Sequence, residues 1–245
     1  MTQRTVLVTG AGSGIGAAIA LRSGADGHRV IVADRDAAAA EKVADEVGGQ
    51  AWVVDLADTA ALEELSLDCD VLVNNAGIQR VAPVHEFDPD DFRLIQRLML
   101  ETPFLLARAA LPHMYAQGWG RIINISSAHG LRASAFKSAY VAAKHGLEGL
   151  SKVIALEGAP HAVTSVCVNP GYVRTPLVEA QIADQAATHG IPEDEVVARI
   201  MLTRSAVKRM IEPAEVAALT SFLMSDDAAM ITGVSYAMDG GWSAQ

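Results

Sequence analysis

Thr9-Gly10-Ala11-Gly12-Ser13-Gly14-Ile15-Gly16 follows a short apolar run, Thr5–Thr9, and runs into a helical pattern at 15–22. A strand, a glycine-rich turn and a helix in that order open a doubly wound α/β fold. Glycine lets the backbone turn tightly and come close to a bulky anion. The helix start beyond it offers unpaired N–H groups and the positive end of a dipole, so a pyrophosphate fits there. The spacing departs from the GxGxxG form, so the strand–turn–helix context carries the reading more than the glycines do. Gly10, Ser13, Gly14, Ile15 and Gly16 are the candidate contacts.

Outward from this turn the pattern repeats. Residues 29–33 read as a strand closed by Asp34, 37–47 as a helix, 51–54 as a strand, 59–65 as a weaker helix and 71–73 as a fourth strand. Alternation with short joins predicts a parallel sheet covered on both faces. Residues 89–114 carry a long helical pattern interrupted near Thr102-Pro103, where proline disfavours a continuous helix. Residues 121–125 and 163–168 read as strands five and six. Between them, 139–156 is a helix in which Gly146 and Gly149 permit close backbone approach. A helix at 215–223 and a seventh strand at 234–238 precede Asp239-Gly240-Gly241. No linker and no repeat divides the chain. The reading is one α/β domain, 1–245, with a Rossmann-type doubly wound parallel seven-stranded sheet and helices on both faces. The more polar stretch 177–210 reads as an inserted substrate lid.

Bulk properties narrow the function. With 245 residues, 51% of them hydrophobic, the chain can bury a full core. Nineteen basic against 29 acidic residues give a net charge of −10, which disfavours nucleic acid and anionic membranes. An anionic substrate then needs a local basic pocket. Cys69 and Cys167 lie beside apolar strand-like runs and read as buried free thiols. No Cys/His spacing fits zinc, and no metal is expected. No signal peptide and no run of 18 apolar residues is visible, so a cytoplasmic location is expected.

Asp34 ends the second strand, where a carboxylate can accept both ribose hydroxyls of an adenosine and repel a 2′-phosphate. NAD is therefore expected over NADP, with Arg35 softening the preference. The competing reading makes Asp34 the cap of the helix at Ala37. Asp55 and Leu56 close the third strand and are expected to face the adenine. Asn74, Ala76 and Gly77 close the fourth, where small residues let a dinucleotide lie against the strand ends.

Tyr140 and Lys144 are four apart on a helix and share a face. A free phenol has a pKa of about 10 and is a poor base near neutrality. Lowering it by about three units asks for about 4 kcal/mol of differential stabilisation, to which a nearby ammonium contributes. Ser127 follows the fifth strand and can donate to a substrate oxygen. Lys137, three residues before Tyr140, can enter the same pocket and meet a carboxylate. His129 and Gln79, taken alone, read equally well as ordinary loop residues.

Together these pieces resemble the short-chain dehydrogenase/reductase family over the whole chain. The matching segments are 9–16, Asn74–Gly77 (Asn74-Asn75-Ala76-Gly77), Ser127, Tyr140-x-x-x-Lys144, Asn169-Pro170-Gly171 and Asp239-Gly240-Gly241. The resemblance implies that Tyr140 is the general acid/base, that Lys144 holds the nicotinamide ribose and that Ser127 orients the substrate. It implies that Pro170, Gly171, Val173 and Thr175 lie near the nicotinamide. It also implies a homotetramer with helices 104–114 and 139–156 at an interface. Within the family, Ser127-Ala128-His129-Gly130, Lys137-Ser138-Ala139-Tyr140 and Asp239-Gly240-Gly241-Trp242-Ser243-Ala244-Gln245 resemble the bacterial D-3-hydroxybutyrate dehydrogenases. That likeness implies reversible NAD-dependent oxidation of D-3-hydroxybutyrate to acetoacetate. Gln79, His129, Lys137 and Gln181 would bind the carboxylate of this small hydroxy or keto acid, and Trp242 would shape the pocket. The alternatives are another hydroxy acid, a polyol or a steroid, or a nucleotide-binding protein with impaired catalysis. The last arises because Met99 stands where the family usually carries an asparagine, and a thioether only weakly accepts.

Overall fold

The computed structural model describes residues 2–176, 178–179, 182, 186 and 190–244. Its seven strands are β1 (Thr5–Thr9), β2 (Arg29–Asp34), β3 (Gln50–Val53), β4 (Val71–Asn74), β5 (Gly120–Ile125), β6 (Val163–Pro170) and β7 (Ser235–Met238). They form one sheet in the order β3-β2-β1-β4-β5-β6-β7, and every pairing is parallel. All carboxyl ends therefore share one edge. The order reverses between β1 and β4, which opens a crevice there.

Alternation along each strand decides which helix it meets. Val6 and Val8 pack in one core cluster with Ile19, Val43 and Val216. These come from α1 (Gly14–Ala25), α2 (Ala37–Val47) and α6 (Pro213–Met224). Leu7, between them in sequence, packs on the opposite face with Leu106, Met114 and Ile154. Those come from α4 (Thr102–Gln117) and α5 (Ser138–Gly158). Ile122 and Ile123 divide between the two clusters in the same way. Both faces are buried, which is why the strands read as continuous apolar runs.

Several boundaries differ from the sequence reading. The pattern at 89–114 resolves into α3 (Pro89–Gln96), a π turn at Arg97–Glu101 and then α4. The interruption is thus a π turn and not a break: Gln96, Arg97, Glu101 and Thr102 all keep helical φ and ψ, and Pro103 follows inside the continuous run. The expected helix at 59–65 is only a 3-10 turn, Thr59–Leu62. Strand β6 extends to Pro170, which carries Asn169 to the site edge. At Gly146 a Cβ would come within 2.8 Å of Leu100 Cδ2, so the helices do meet closely there. At Gly149 a Cβ would meet nothing within 4 Å, so packing inside this chain does not require that glycine. Both cysteines are free and buried.

Candidate active site

The nucleotide half is built from backbone. Gly10 and Gly14 adopt φ of 60° and 56°, in the left-handed region where a side chain is strained. A Cβ on Gly16 would lie 2.2 Å from the carbonyl oxygen of Gly10, so helix α1 starts against the turn only because that side chain is missing. Thr9 Oγ1 accepts from the N–H groups of both Asn75 and Ala76, at 2.9 and 3.1 Å. Asn75 Nδ2 donates to the carbonyls of Thr9 and Gly10. Asn75, quoted in the sequence only as part of the segment 74–77 and not as a contact residue, is therefore the side chain that ties the β4 end to the glycine turn. Asn74 instead donates to Asn124 Oδ1 inside the sheet.

Asp34 does not cap α2. That role belongs to Asp36, which accepts from Ala39 N–H at 3.1 Å. Asp34 Oδ2 accepts from Gly12 N–H at 2.9 Å and Oδ1 from Asp36 N–H at 3.1 Å, so its carboxylate is fixed at the edge of the turn. Asp55 accepts from Ala57 N–H within its own turn. Leu56 is buried in the core, and its carbonyl accepts from Thr102 Oγ1. Ser13 stands at the N-cap of α1 without a side-chain bond to the helix. A glycine cradle, open helix N–H groups and a fixed carboxylate fit a dinucleotide.

The other half is built from side chains. Ser127, His129, Lys137, Tyr140 and Trp242 line one cavity of about 150 Å³, together with Gln79, Ile15, Pro170, Gly171, Val173 and Thr175. Tyr172, Val178 and Ser205 also line it and were not foreseen. Tyr172 follows Asn169-Pro170-Gly171, so an aromatic residue directly after a noted segment was the available signal. Gln181 lies outside the described residues.

Burial pushes the Tyr140 phenol above its usual value, and a hydrogen bond with the Ser127 side chain pulls it part of the way back. The expected lowering by Lys144 is thus not achieved by these residues alone. The Lys144 ammonium lies 5.8 Å from the Tyr140 ring centre and donates to the Ile125 carbonyl at 2.6 Å. Burial brings its pKa down to about 8. Burial and then the charges of Lys137 and His145 bring His129 down to about 4, so its ring is neutral at physiological pH. His129 Nε2 pairs with Ser134 Oγ at 2.9 Å, and its ring leans on Trp242 at 5.3 Å. Lys137, lowered by burial, is the cation of this cavity, with its amino group 6.0 Å from the Tyr172 ring centre.

Met99 lies in the π turn and is buried with Ile95, Ala139 and Ala143. Its Cε would stand 3.2 Å from a Cβ on Gly77. Among the described residues no group of three His, Cys, Asp or Glu is placed to hold a metal, and no helix is long and apolar enough to cross a membrane.

A phenol, a hydroxyl and a buried ammonium beside a dinucleotide cradle define a nicotinamide-dependent oxidoreductase. The short chain dehydrogenase family model matches residues 4–186, and the chain belongs to that family. A Rhizobium meliloti (strain 1021) protein named D-beta-hydroxybutyrate dehydrogenase is 44% identical, covering 99% of each chain. A Cupriavidus necator protein of the same name is 42% identical, covering 99% of this chain and 98% of its own. Among solved structures, a candidate NAD(P)-dependent gluconate 5-dehydrogenase from Beutenbergia cavernae, with NADP bound at low occupancy, is 36% identical. It superposes with a TM-score of 0.89 over 100% of this chain and 98% of its own.

Proposed function

We propose that this enzyme reversibly oxidises D-3-hydroxybutyrate to acetoacetate with NAD. The observation that carries the reading is a lysine ammonium, Lys137, in the same small cavity as Ser127 and Tyr140. A carboxylate held by Lys137 leaves a hydroxyl a few atoms away to meet the Ser127–Tyr140 pair. Neutral His129 and Gln79 add hydrogen bonds without charge, and Trp242 closes the apolar side. Gln181 is proposed as a further carboxylate contact, and 177–210 as the segment that covers the substrate.

Tyr140 removes the hydroxyl proton, and Ser127 donates to the same oxygen as charge develops on it. When bound, the oxidised nicotinamide supplies the hydride acceptor and a positive charge beside the phenol. Lys144, positive below about pH 8, adds the second charge that burial of Tyr140 demands. Fixed at the edge of the glycine turn, Asp34 favours the free ribose hydroxyls of NAD.

A cytoplasmic homotetramer completes the proposal. An open groove of about 770 Å³ on α3, the π turn, α4 and α5 carries Phe92, Leu100, Phe104 and Leu150. The open space over Gly149 lets a second copy approach α5.

The deciding measurement is NAD reduction with each enantiomer of 3-hydroxybutyrate, with Tyr140→Phe as control. The D form should be turned over and the control should lose at least about a thousandfold in kcat, the order expected for an essential acid–base group. A rate no greater than the control's removes the proposal. A second reading, slow turnover, rests on Met99 filling its site with a thioether among apolar neighbours. Met99→Asn should raise kcat if the missing amide limits the rate, and an unchanged kcat rejects that reading.

A further inference from the structure

We propose that Glu148 is a positioning residue of the catalytic centre, holding the Ser127 loop through Asn169 and placing a negative charge one helical turn from Lys144. The inference rests on the proposed roles of Ser127, Tyr140 and Lys144.

Glu148 lies four residues beyond Lys144 and eight beyond Tyr140 on α5, so all three project from neighbouring parts of one face. Its side chain is buried, a rare environment for a carboxylate unless partners compensate it. Both oxygens have a donor. Asn169 Nδ2 donates to Oε1 at 2.5 Å, and Ser235 Oγ donates to Oε2 at 2.6 Å. These are short, charge-assisted bonds of the stronger kind. The same Asn169 Nδ2 also donates to the Ser127 carbonyl at 2.8 Å. One carboxylate thus links α5, β6 and β7 to the backbone of the residue whose hydroxyl meets the substrate.

The loop after β5 is fitted to this carboxylate. A Cβ on Gly130 would fall 2.7 Å from Glu148 Oε1 and 2.5 Å from Ser126 Oγ. Only glycine lets the 126–130 turn close over the acid. The charge acts on the other side as well. Burial drives the Lys144 pKa down, while the Glu148 carboxylate opposes the fall; Cys167 on β6 lies beside them as a neutral thiol, because burial pushes its own pKa up. The groups facing Lys144 are therefore Glu148 and Tyr140 on its own helix, Cys167 on β6 and the Ile125 carbonyl at the end of β5.

The test compares Glu148→Gln and Glu148→Ala with the wild type in the full-length enzyme. NADH affinity, read by fluorescence from pH 6 to 10, needs no substrate. It should weaken above about pH 8 in the wild type as Lys144 loses its proton. In Glu148→Gln, which keeps the size and loses the charge, that break should move to lower pH. With D-3-hydroxybutyrate, kcat should fall about tenfold or more in Glu148→Ala. It should recover most of the way in Glu148→Gln, which can still accept from Asn169. If Glu148→Ala does not fold, the break in Glu148→Gln decides alone. An unmoved break with wild-type kcat in the folded variants overturns the proposal. An enzyme that oxidises no hydroxy acid sinks the substrate reading instead, and Glu148 then stands or falls on the break.

Discussion

At the β1–β4 junction of the sheet's carboxyl edge the proposed nucleotide site is mostly backbone, held in place by two neighbouring side chains. Thr9 pins the end of β4, Asn75 pins the glycine turn, and that turn is the proposed pyrophosphate site. At the β5–β7 end the relation is inverted. There the backbone of Ser127 is pinned, and side chains from α5 and two loops meet in a cavity. The first site is specified by what its residues lack, the second by what they carry and how deeply it is buried. The same edge of one sheet therefore fails in two ways, by steric intrusion at one end and by loss of charge or its setting at the other.

Gly16→Ala should produce the largest effect of this kind. Its methyl would sit 2.2 Å from the Gly10 carbonyl oxygen, so the turn or the helix start must shift. Overpacking of this sort costs about 1–3 kcal/mol of stability. It also displaces the N–H groups proposed to meet the pyrophosphate. NADH binding should weaken by at least about a hundredfold, the loss of two good hydrogen bonds to a charged group. Fluorescence titration with a thermal melt checks both. Near-normal affinity would show that the backbone end tolerates intrusion, and the contrast would break.

Lys137→Ala should act differently. Losing one charge-assisted contact of about 1.5–3 kcal/mol raises KM for the hydroxy acid by about 10- to 100-fold. NADH affinity should stay within about twofold, since the ammonium belongs to the substrate side and distant sites behave independently. Steady-state kinetics with D-3-hydroxybutyrate separates the two. Equal losses of both affinities would mean that the ends of the edge are not separable.

The contrast also explains what the residue string could convey. Glycine spacing and strand–helix alternation are local, so the cradle at Gly10–Gly16 (residues 10–16) and the parallel sheet were readable from the chain. Tyr140 and Lys144 were readable because helical period alone puts them on one face. The roles of Asn74 and Asn75 were not, since adjacent strand-end residues point to opposite sides and the register decides which meets the turn. The π turn at Arg97–Glu101 was hidden because its composition is ordinary helix; only packing against α5, with Leu100 against Gly146, distinguishes it. Tyr140's raised pKa was missed for the same reason. Spacing shows a nearby cation, whereas burial depends on residues from α5, the β5 loop and the β6 loop.

His129 gives the smallest and most specific test of the buried end. Its pKa is about 4 in the fold, against 6.5 for an unperturbed histidine. Between those values the unfolded chain binds a proton that the folded chain does not. Stability therefore falls as pH drops from 6.5 towards 4, and above 6.5 this contribution to the pH slope vanishes. Glutamine cannot titrate, so His129→Gln should lack this part of the slope. The span from 6.5 to pH 5 is worth about 2 kcal/mol, so calorimetry at pH 7.5 and pH 5 should show the wild type losing about 4–8 °C more than the variant. Because the ring stays neutral, KM should show no His129-dependent step between pH 5 and 8. Such a step would mean that the imidazole, and not Lys137 alone, supplies charge to the carboxylate, and that water reaches the cavity far more freely than its walls suggest.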